Sequence, residues 1–351
     1  MRTRTGNVHT RPRKWPDVAT SVAGQKAPAP GQTDRVVVLC ITGWCRNGST
    51  IIGNILNEIP GVLHVGELHF LWKNAARRGA NSKCGCGAVL TECPFWSARI
   101  AELMGEGGRT LEVFAAEVVR RQRACVRTRH TWRVLRRGAG EREISAHADL
   151  MSRTYRAIAA ASGARVIVDT TKIPGEAALL PDLEGVTPYF VHLVRDPRAV
   201  AESWREPKQY VYAMSAAKST AYWRGFNLAS EAITKRYPQR SLTLRYEDFL
   251  ADPRETIGRL LTLCGEPEEA NPVQGRVIDL GVNHTVTGNP DRFNSGTTVL
   301  RDSDSRWVAG LPRRARLAVA LLSWPMFRRY GYRQRTPEAR PRKEHMVGHG
   351  A

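Results

Sequence analysis

The stretch from Val36 to Ile59 constrains this chain most, because an unbroken apolar run turns through glycines straight into a helical pattern. Val36 to Ile41 reads as a parallel strand buried on both faces. Thr42-Gly43-Trp44-Cys45-Arg46-Asn47-Gly48-Ser49-Thr50 follows as a turn, and Ile51, Ile52, Ile55, Leu56 and Ile59 then share one helical face. A strand, a glycine turn and a helix N-terminus gather backbone N–H groups and the positive end of the helix dipole around an anion. Arg46, Asn47, Gly48, Ser49 and Thr50 are therefore candidate phosphate-binding residues. The spacing Gly43-x4-Gly48 is that of a nucleotide P-loop, but Ser49 stands where an ATPase or GTPase carries Lys. Arg46 is the loop's side-chain cation. A plain strand-to-helix turn is the alternative.

Further strands and helices alternate along the chain. Residues 61–65 read as a short strand ending at Gly66-Glu67, and 70–160 as a helical insertion with helices over 95–104, 110–136 and 149–162. Arg165 to Asp169 and Tyr189 to Val194 are buried strands, each followed by a polar cluster: Thr170-Thr171-Lys172 and Arg195-Asp196-Pro197. Helices over 214–236, from Asp252-Pro253 to about Cys264 and near 312–322, with a strand over 241–246, complete the pattern. This alternation predicts an α/β fold of P-loop-like, three-layer form with a mainly parallel central sheet. In such sheets ligands sit beyond the C-terminal strand ends. The polar clusters at 42–50, 66–69, 169–172 and 195–203 all fall there.

The formal charge of +20 points to anionic partners. Part of it lies in residues 1–34, with six Lys/Arg against two Asp, and in 333–351, with five against two Glu. Both ends lack periodic apolar positions, so 1–34 and 334–351 read as disordered basic tails around a domain at 35–333. The Arg-dense stretch at 120–137, whose one aromatic among Phe, Trp and Tyr is Trp132, reads as a solvated helix face, with no stable nucleic-acid partner expected. No apolar run approaches the roughly 20 residues of a membrane span, and no apolar secretory segment is evident, so a cytoplasmic protein is expected. Cys84, Cys86 and Cys93 lie within ten residues. They offer zinc-ligand chemistry without a second CxxC or a clear fourth ligand, and read as a packed loop near the acceptor site rather than a metal site.

Three segments resemble the sulfotransferases that use 3′-phosphoadenosine 5′-phosphosulfate (PAPS). Thr42–Thr50 is similar to the family's 5′-phosphosulfate loop, with Arg46 at the position of its Lys or Arg. Leu193-Val-Arg-Asp-Pro-Arg-Ala-Val-Ala-Glu-Ser203 resembles its 3′-phosphate motif, which implies that Arg195 and Ser203 hold that group. Arg245-Tyr-Glu-Asp-Phe-Leu-Ala-Asp-Pro253 resembles the segment near the adenine and brings in Tyr246. The resemblance, to bacterial and Golgi-type members acting on carbohydrates or small molecules, covers about 35–333. It implies Glu67 as general base, with His69 and His64 as nearby alternatives, and Lys172 as a second cation near the bridging oxygen. Arg292, in Gly288-Asn-Pro-Asp-Arg292, could replace the Arg-Lys-Gly triplet of cytosolic members, which is absent here. Ile51 also stands where those members often carry a Trp.

The expected function is direct in-line transfer of a sulfuryl group from PAPS, leaving the desulfated product PAP, to a hydroxyl of a small-molecule or carbohydrate acceptor. No metal is expected to be required. Two rivals stay open: a P-loop kinase or NTPase, and a basic nucleic-acid-binding or inactive sulfotransferase-like protein. The insertion and residues 205–215 are expected to shape the acceptor pocket. The acceptor's identity and the oligomeric state are not legible.

Overall fold

The computed structural model describes residues 35–333 except 78, 141, 206 and 208–212. The two basic tails, and most of the 205–215 stretch expected to line the acceptor pocket, lie outside the described residues.

The apolar runs form five strands: β1 (Val36–Thr42), β2 (Val62–Gly66), β3 (Val166–Lys172), β4 (Val186–Val194) and β5 (Ser241–Arg245). All pair in parallel in the order β2-β3-β1-β4-β5, so β1 is central. The helices that cover it are α1 (Ser49–Leu56), α2 (Leu111–Cys125), α3 (Arg142–Ser162), α4 (Pro197–Arg205), α5 (Ala216–Arg236) and α6 (Pro253–Cys264). Successive side chains of a strand point to opposite faces. Leu39 and Ile41 of β1 therefore meet Ile52 and Ile55 of α1 and Ile257 of α6, while Val38 and Cys40 join the opposite core with Phe114 of α2 and Tyr155 and Ile158 of α3. The result is the expected three-layer α/β fold. Full burial of one such aliphatic side chain contributes about 1.5–3 kcal/mol. An exposed ion pair contributes about 0–1 kcal/mol. The two apolar layers, not the many surface charges, hold the sheet in place.

Local chemistry sets the helix starts. Thr110, Ser215 and Asp252 each accept a backbone N–H of the first turn, and Pro253 follows Asp252 where its missing N–H costs nothing. The helix expected over 110–136 is broken: α2 ends at Cys125, and a 3-10 turn leads into a separate helix, Thr131–Arg137. At the break, the carbonyls of Val126 and Arg127 approach Gly175 so closely that an added Cβ there would lie 2.4 Å from each. Tertiary contact overrides the apolar period. A two-stranded antiparallel sheet, β6 (Val277–Leu280) with β7 (Gly296–Val299), was not legible from the sequence. Its strands are four residues each and are separated by the long loop 281–295, so no hairpin turn marks them.

Candidate active site

The C-terminal ends of the five strands set the polar groups in a row. Glu67 follows β2, Lys172 ends β3, the loop Gly43–Gly48 follows β1, Arg195 follows β4 and Tyr246 follows β5. Adjacent strands lie about 4.8 Å apart, so the row is about 19 Å long.

The loop is held open by specific contacts. Gly43 and Gly48 adopt φ of 126° and 92°, and Arg46 also lies in the left-handed region at 71°. A Cβ on Gly48 would fall 2.2 Å from the Tyr246 ring, and one on Gly43 2.4 Å from the Leu193 carbonyl, so both positions need glycine. Asn47 donates from Nδ2 to the Leu193 carbonyl at 3.0 Å and accepts the Ser49 N–H at 3.3 Å. It thus works as a brace of the loop. Ser49 and Thr50 open α1, whose N-terminus at Gly48 has no side-chain cap. The Arg46 guanidinium lies 5.1 Å over the Trp204 ring and donates to Asn289 Oδ1 at 3.3 Å. Burial pushes the thiol of Cys45 up to about 11, which keeps it protonated near neutral pH.

Arg195 meets the loop directly, donating from Nη1 to the Arg46 carbonyl at 2.6 Å. Its Nε and Nη2 both donate to Asp304, each at 2.6 Å, and its guanidinium stands 5.0 Å over the Tyr246 ring. Burial works against its charge, but the Asp304 bonds outweigh that and hold its pKa above the ordinary value. The neighbouring Asp196, which sequence proximity offers as a partner, is taken by Arg198 at 2.6 Å. Asp304 carries no sequence signal, standing 109 residues from Arg195 in a segment without a motif. Ser203 is half-buried on α4, next to the Trp204 that supports Arg46.

On the other flank, Lys172 is buried at φ 67° and donates 2.7 Å bonds to Glu67 Oε1 and to the Thr170 carbonyl. A non-glycine residue there is uncommon. It coincides with a break in the register of β3 against β1, between Cys40 and Thr42. His64 is buried, with Nδ1 against Asn54 and Nε2 against Thr170, both at 3.2 Å. Burial lowers its pKa to about 3, and both ring nitrogens are engaged, so it is a poor general base. His69 differs: its Nδ1 meets Glu176 at 2.5 Å, and His147 Nε2 meets the same carboxylate at 3.0 Å. Burial alone would raise the Glu176 carboxyl, but His69 and His147 hold it well below the usual range.

His69 also borders a cleft of about 770 Å³, together with Phe70, Trp132, Ile173, Tyr222 and Phe226. Lys73, Arg123, Arg127, Arg129 and Lys218 complete much of its wall. The insertion therefore does shape a pocket, through α2 and the turn after it. Trp44 joins the cleft to the loop, stacking on Tyr222 at 5.0 Å and meeting Phe226 at 4.7 Å.

Arg292 and the cysteine loop both engage the loop 281–295. Arg292 is 1% exposed, and its Nη1 donates to the carbonyls of Lys83 at 2.9 Å and Thr285 at 3.1 Å. It binds the insertion to the loop 281–295. The Cys84–Cys93 loop lines none of the large cleft; it packs against that same loop.

A parallel sheet with a glycine loop after its central strand, flanked by cations at neighbouring strand ends, defines a P-loop-like α/β protein. The sulfotransferase family pattern matches residues 39–270, and the chain belongs to that family. Among solved structures it is similar to the sulfotransferase domain of the Synechococcus PCC 7002 olefin synthase: 18% identity, 88% of this chain and 99% of that one, TM-score 0.49. The sulfotransferase domain of the curacin biosynthetic pathway is 14% identical over 85% of this chain and 98% of its own, TM-score 0.48. A sulfotransferase from Mycobacterium avium is 14% identical over 72% and 68%, TM-score 0.39. No curated protein sequence matches the chain. Among the described residues no helix is long and apolar enough to cross a membrane.

Proposed function

We propose that this sulfotransferase takes a sulfuryl group from PAPS and passes it directly to a hydroxyl of a small-molecule or carbohydrate acceptor. The observation that carries this reading is the row of strand ends, with a carboxylate and a lysine on one side of the loop and an arginine and a tyrosine on the other. The 5′-phosphosulfate would lie on the loop against Arg46 and the start of α1. Arg195, Ser203 and Tyr246 would hold the 3′-phosphate and adenine side. Lys172, between Glu67 and the loop, would meet the charge developing on the leaving phosphate. Glu67 would take the acceptor's proton.

His69 is a second reading for the base, favoured by its place on the cleft wall and its fixed orientation against Glu176. The five cations around the cleft favour an acceptor that carries a negative charge besides its hydroxyl. Cys45 is protonated, which supports direct transfer over a thiol-bound intermediate. The free cysteines fit a reducing compartment, in keeping with a cytoplasmic protein.

The test is calorimetry with PAP, followed by an acceptor panel with labelled PAPS. Binding of PAP that persists at high salt, and turnover in an assay freed of Mg²⁺, are the expected results. Binding of ATP with Mg²⁺ in place of PAP would overturn the reading in favour of a kinase. Strongly salt-sensitive nucleic-acid binding without PAP binding would overturn it in favour of a nucleic-acid-binding protein.

A further inference from the structure

The four side chains Cys84, Cys86, Cys93 and His284 meet with their ligand atoms all within 4.8 Å of one another. The sequence shows only the first three; His284 arrives from 191 residues beyond Cys93, on the loop between β6 and β7. Cys86 Sγ and Cys93 Sγ are 3.7 Å apart, and His284 Nδ1 lies 3.6 Å from Cys84 Sγ and 3.3 Å from Cys93 Sγ. A tetrahedral zinc ion with Zn–S of about 2.3 Å and Zn–N of about 2.0–2.1 Å separates its ligands by about 3.8 Å (S to S) and 3.6 Å (S to N). These three separations lie within about 0.3 Å of the edges of that tetrahedron, and the remaining ones stay within 4.8 Å. A disulfide is about 2.05 Å long, far shorter than the 3.7 Å seen between Cys86 and Cys93.

The surroundings are built to hold this arrangement. Cys84 and Cys93 are fully buried. The Cys84 N–H bonds to the Ala88 carbonyl at 2.7 Å, and the Cys84 carbonyl accepts the Gly87 N–H at 2.9 Å, which curls the loop around its own thiols. The Phe95 ring stacks on the His284 imidazole at 5.5 Å, and Trp96 Nε1 donates to the His284 carbonyl at 2.6 Å. Both orient the imidazole from outside the ligand set, as supporting residues do around bound metals. Gly85 lets the two loops touch: a Cβ there would fall 2.0 Å from Asn283 Oδ1.

We propose that Cys84, Cys86, Cys93 and His284 bind one Zn²⁺ in a closed, four-coordinate structural site. Three thiolates and an imidazole are a soft set that selects zinc over Mg²⁺ or Ca²⁺. With all four positions filled by protein, the ion has no open place for a water or substrate and takes no part in transfer. Its work is positional. It ties the insertion to the segment after His284, where Val286 N–H bonds to the Val65 carbonyl at 2.9 Å and the Thr287 carbonyl accepts the Glu67 N–H at 3.3 Å. The metal thereby fixes the backbone that carries the candidate base.

The full chain, expressed with added zinc and purified under reducing conditions, should contain about one zinc per molecule by elemental analysis. X-ray absorption should show three sulfur neighbours and one nitrogen. His284→Ala should lower the zinc content about five-fold or more and lower Tm, while Cys264→Ser should leave the zinc content unchanged. Because His284→Ala could misfold, the wild type stripped of metal should also be titrated with Co²⁺, which should give the visible bands of a tetrahedral thiolate site. Metal-free protein that takes up no Co²⁺, or a Cys86–Cys93 disulfide found by mass spectrometry, would overturn the proposal. Full zinc content in His284→Ala would overturn the ligand set.

Discussion

At Glu67 the proposed site asks one carboxylate to hold Lys172 and to receive a proton, and the 2.7 Å ion pair fills the first role. Glu67→Gln keeps the size and removes the basicity, so kcat should fall by about 10²–10⁴ with little change in PAP affinity. Arg46→Ala should lower both, because in the proposed site that cation would meet the bound anion and the developing charge alike. Steady-state kinetics beside calorimetry separates the two. A Glu67→Gln enzyme within a few-fold of wild type, beside a dead His69→Ala, would move the base to the histidine. Arg195 allows a second test. A charged hydrogen bond is worth about 1.5–3 kcal/mol, so Arg195→Ala should weaken PAP binding more than adenosine 5′-phosphate binding by roughly ten-fold or more. Some loss for both is expected, since Arg195 also bonds the Arg46 carbonyl. Asp304 holds two of the guanidinium nitrogens, so Asp304→Asn should bind PAP more tightly at the expense of a lower Tm. Weaker PAP binding would mean that Asp304 orients the arginine and does not compete with the phosphate.

Among the elements, the loop between β1 and α1 is the least forgiving. In Gly48→Ala the new methyl meets the Tyr246 ring and the backbone keeps a left-handed φ that costs an L-residue about 1–2 kcal/mol. PAP affinity should fall at least about ten-fold. Adding Tyr246→Ala removes the clash but not the strain, so the double variant should recover only part of the affinity. Full recovery would show that the clash alone mattered. This loop was legible because strand, turn and helix are contiguous, and the same holds for β3, β4, β5, α5 and α6. What stayed hidden depends on contacts distant in sequence. The strand order follows from packing, not from local period. The break after Cys125 is set by Gly175, the partner of Arg195 stands 109 residues away, and the fourth member of the cysteine cluster 191 residues away. The bonds of Arg292 to Lys83 and Thr285 were hidden for the same reason, since its local motif gives no sign of them.

For the molecule as a whole, one half-buried carboxylate ties the C-terminal segment to the sheet. Glu247 accepts the Asp196 N–H at 2.8 Å and the Tyr332 hydroxyl at 2.9 Å, and burial raises its pKa from 4.5 to about 7. Between those values the folded chain holds a proton that the unfolded chain has released, so this group lowers stability as pH rises from about 4.5 to 7. Denaturant titrations of wild type and Glu247→Gln should therefore diverge with pH: the variant gains relative to wild type across that window and the gap is constant above it. A gap independent of pH would remove the carboxyl as its cause. The strand order has a further consequence. The segment between β2 and β3 supplies α2, α3 and much of the cleft wall, with Ile173 and α5 supplying the rest, while Arg195 and Tyr246 lie across β1 from Glu67. Under the proposed assignment, descendants of such a gene can reshape most of the cleft by rewriting a single stretch of coding sequence, and inherit the strand ends of Arg195 and Tyr246 unaltered.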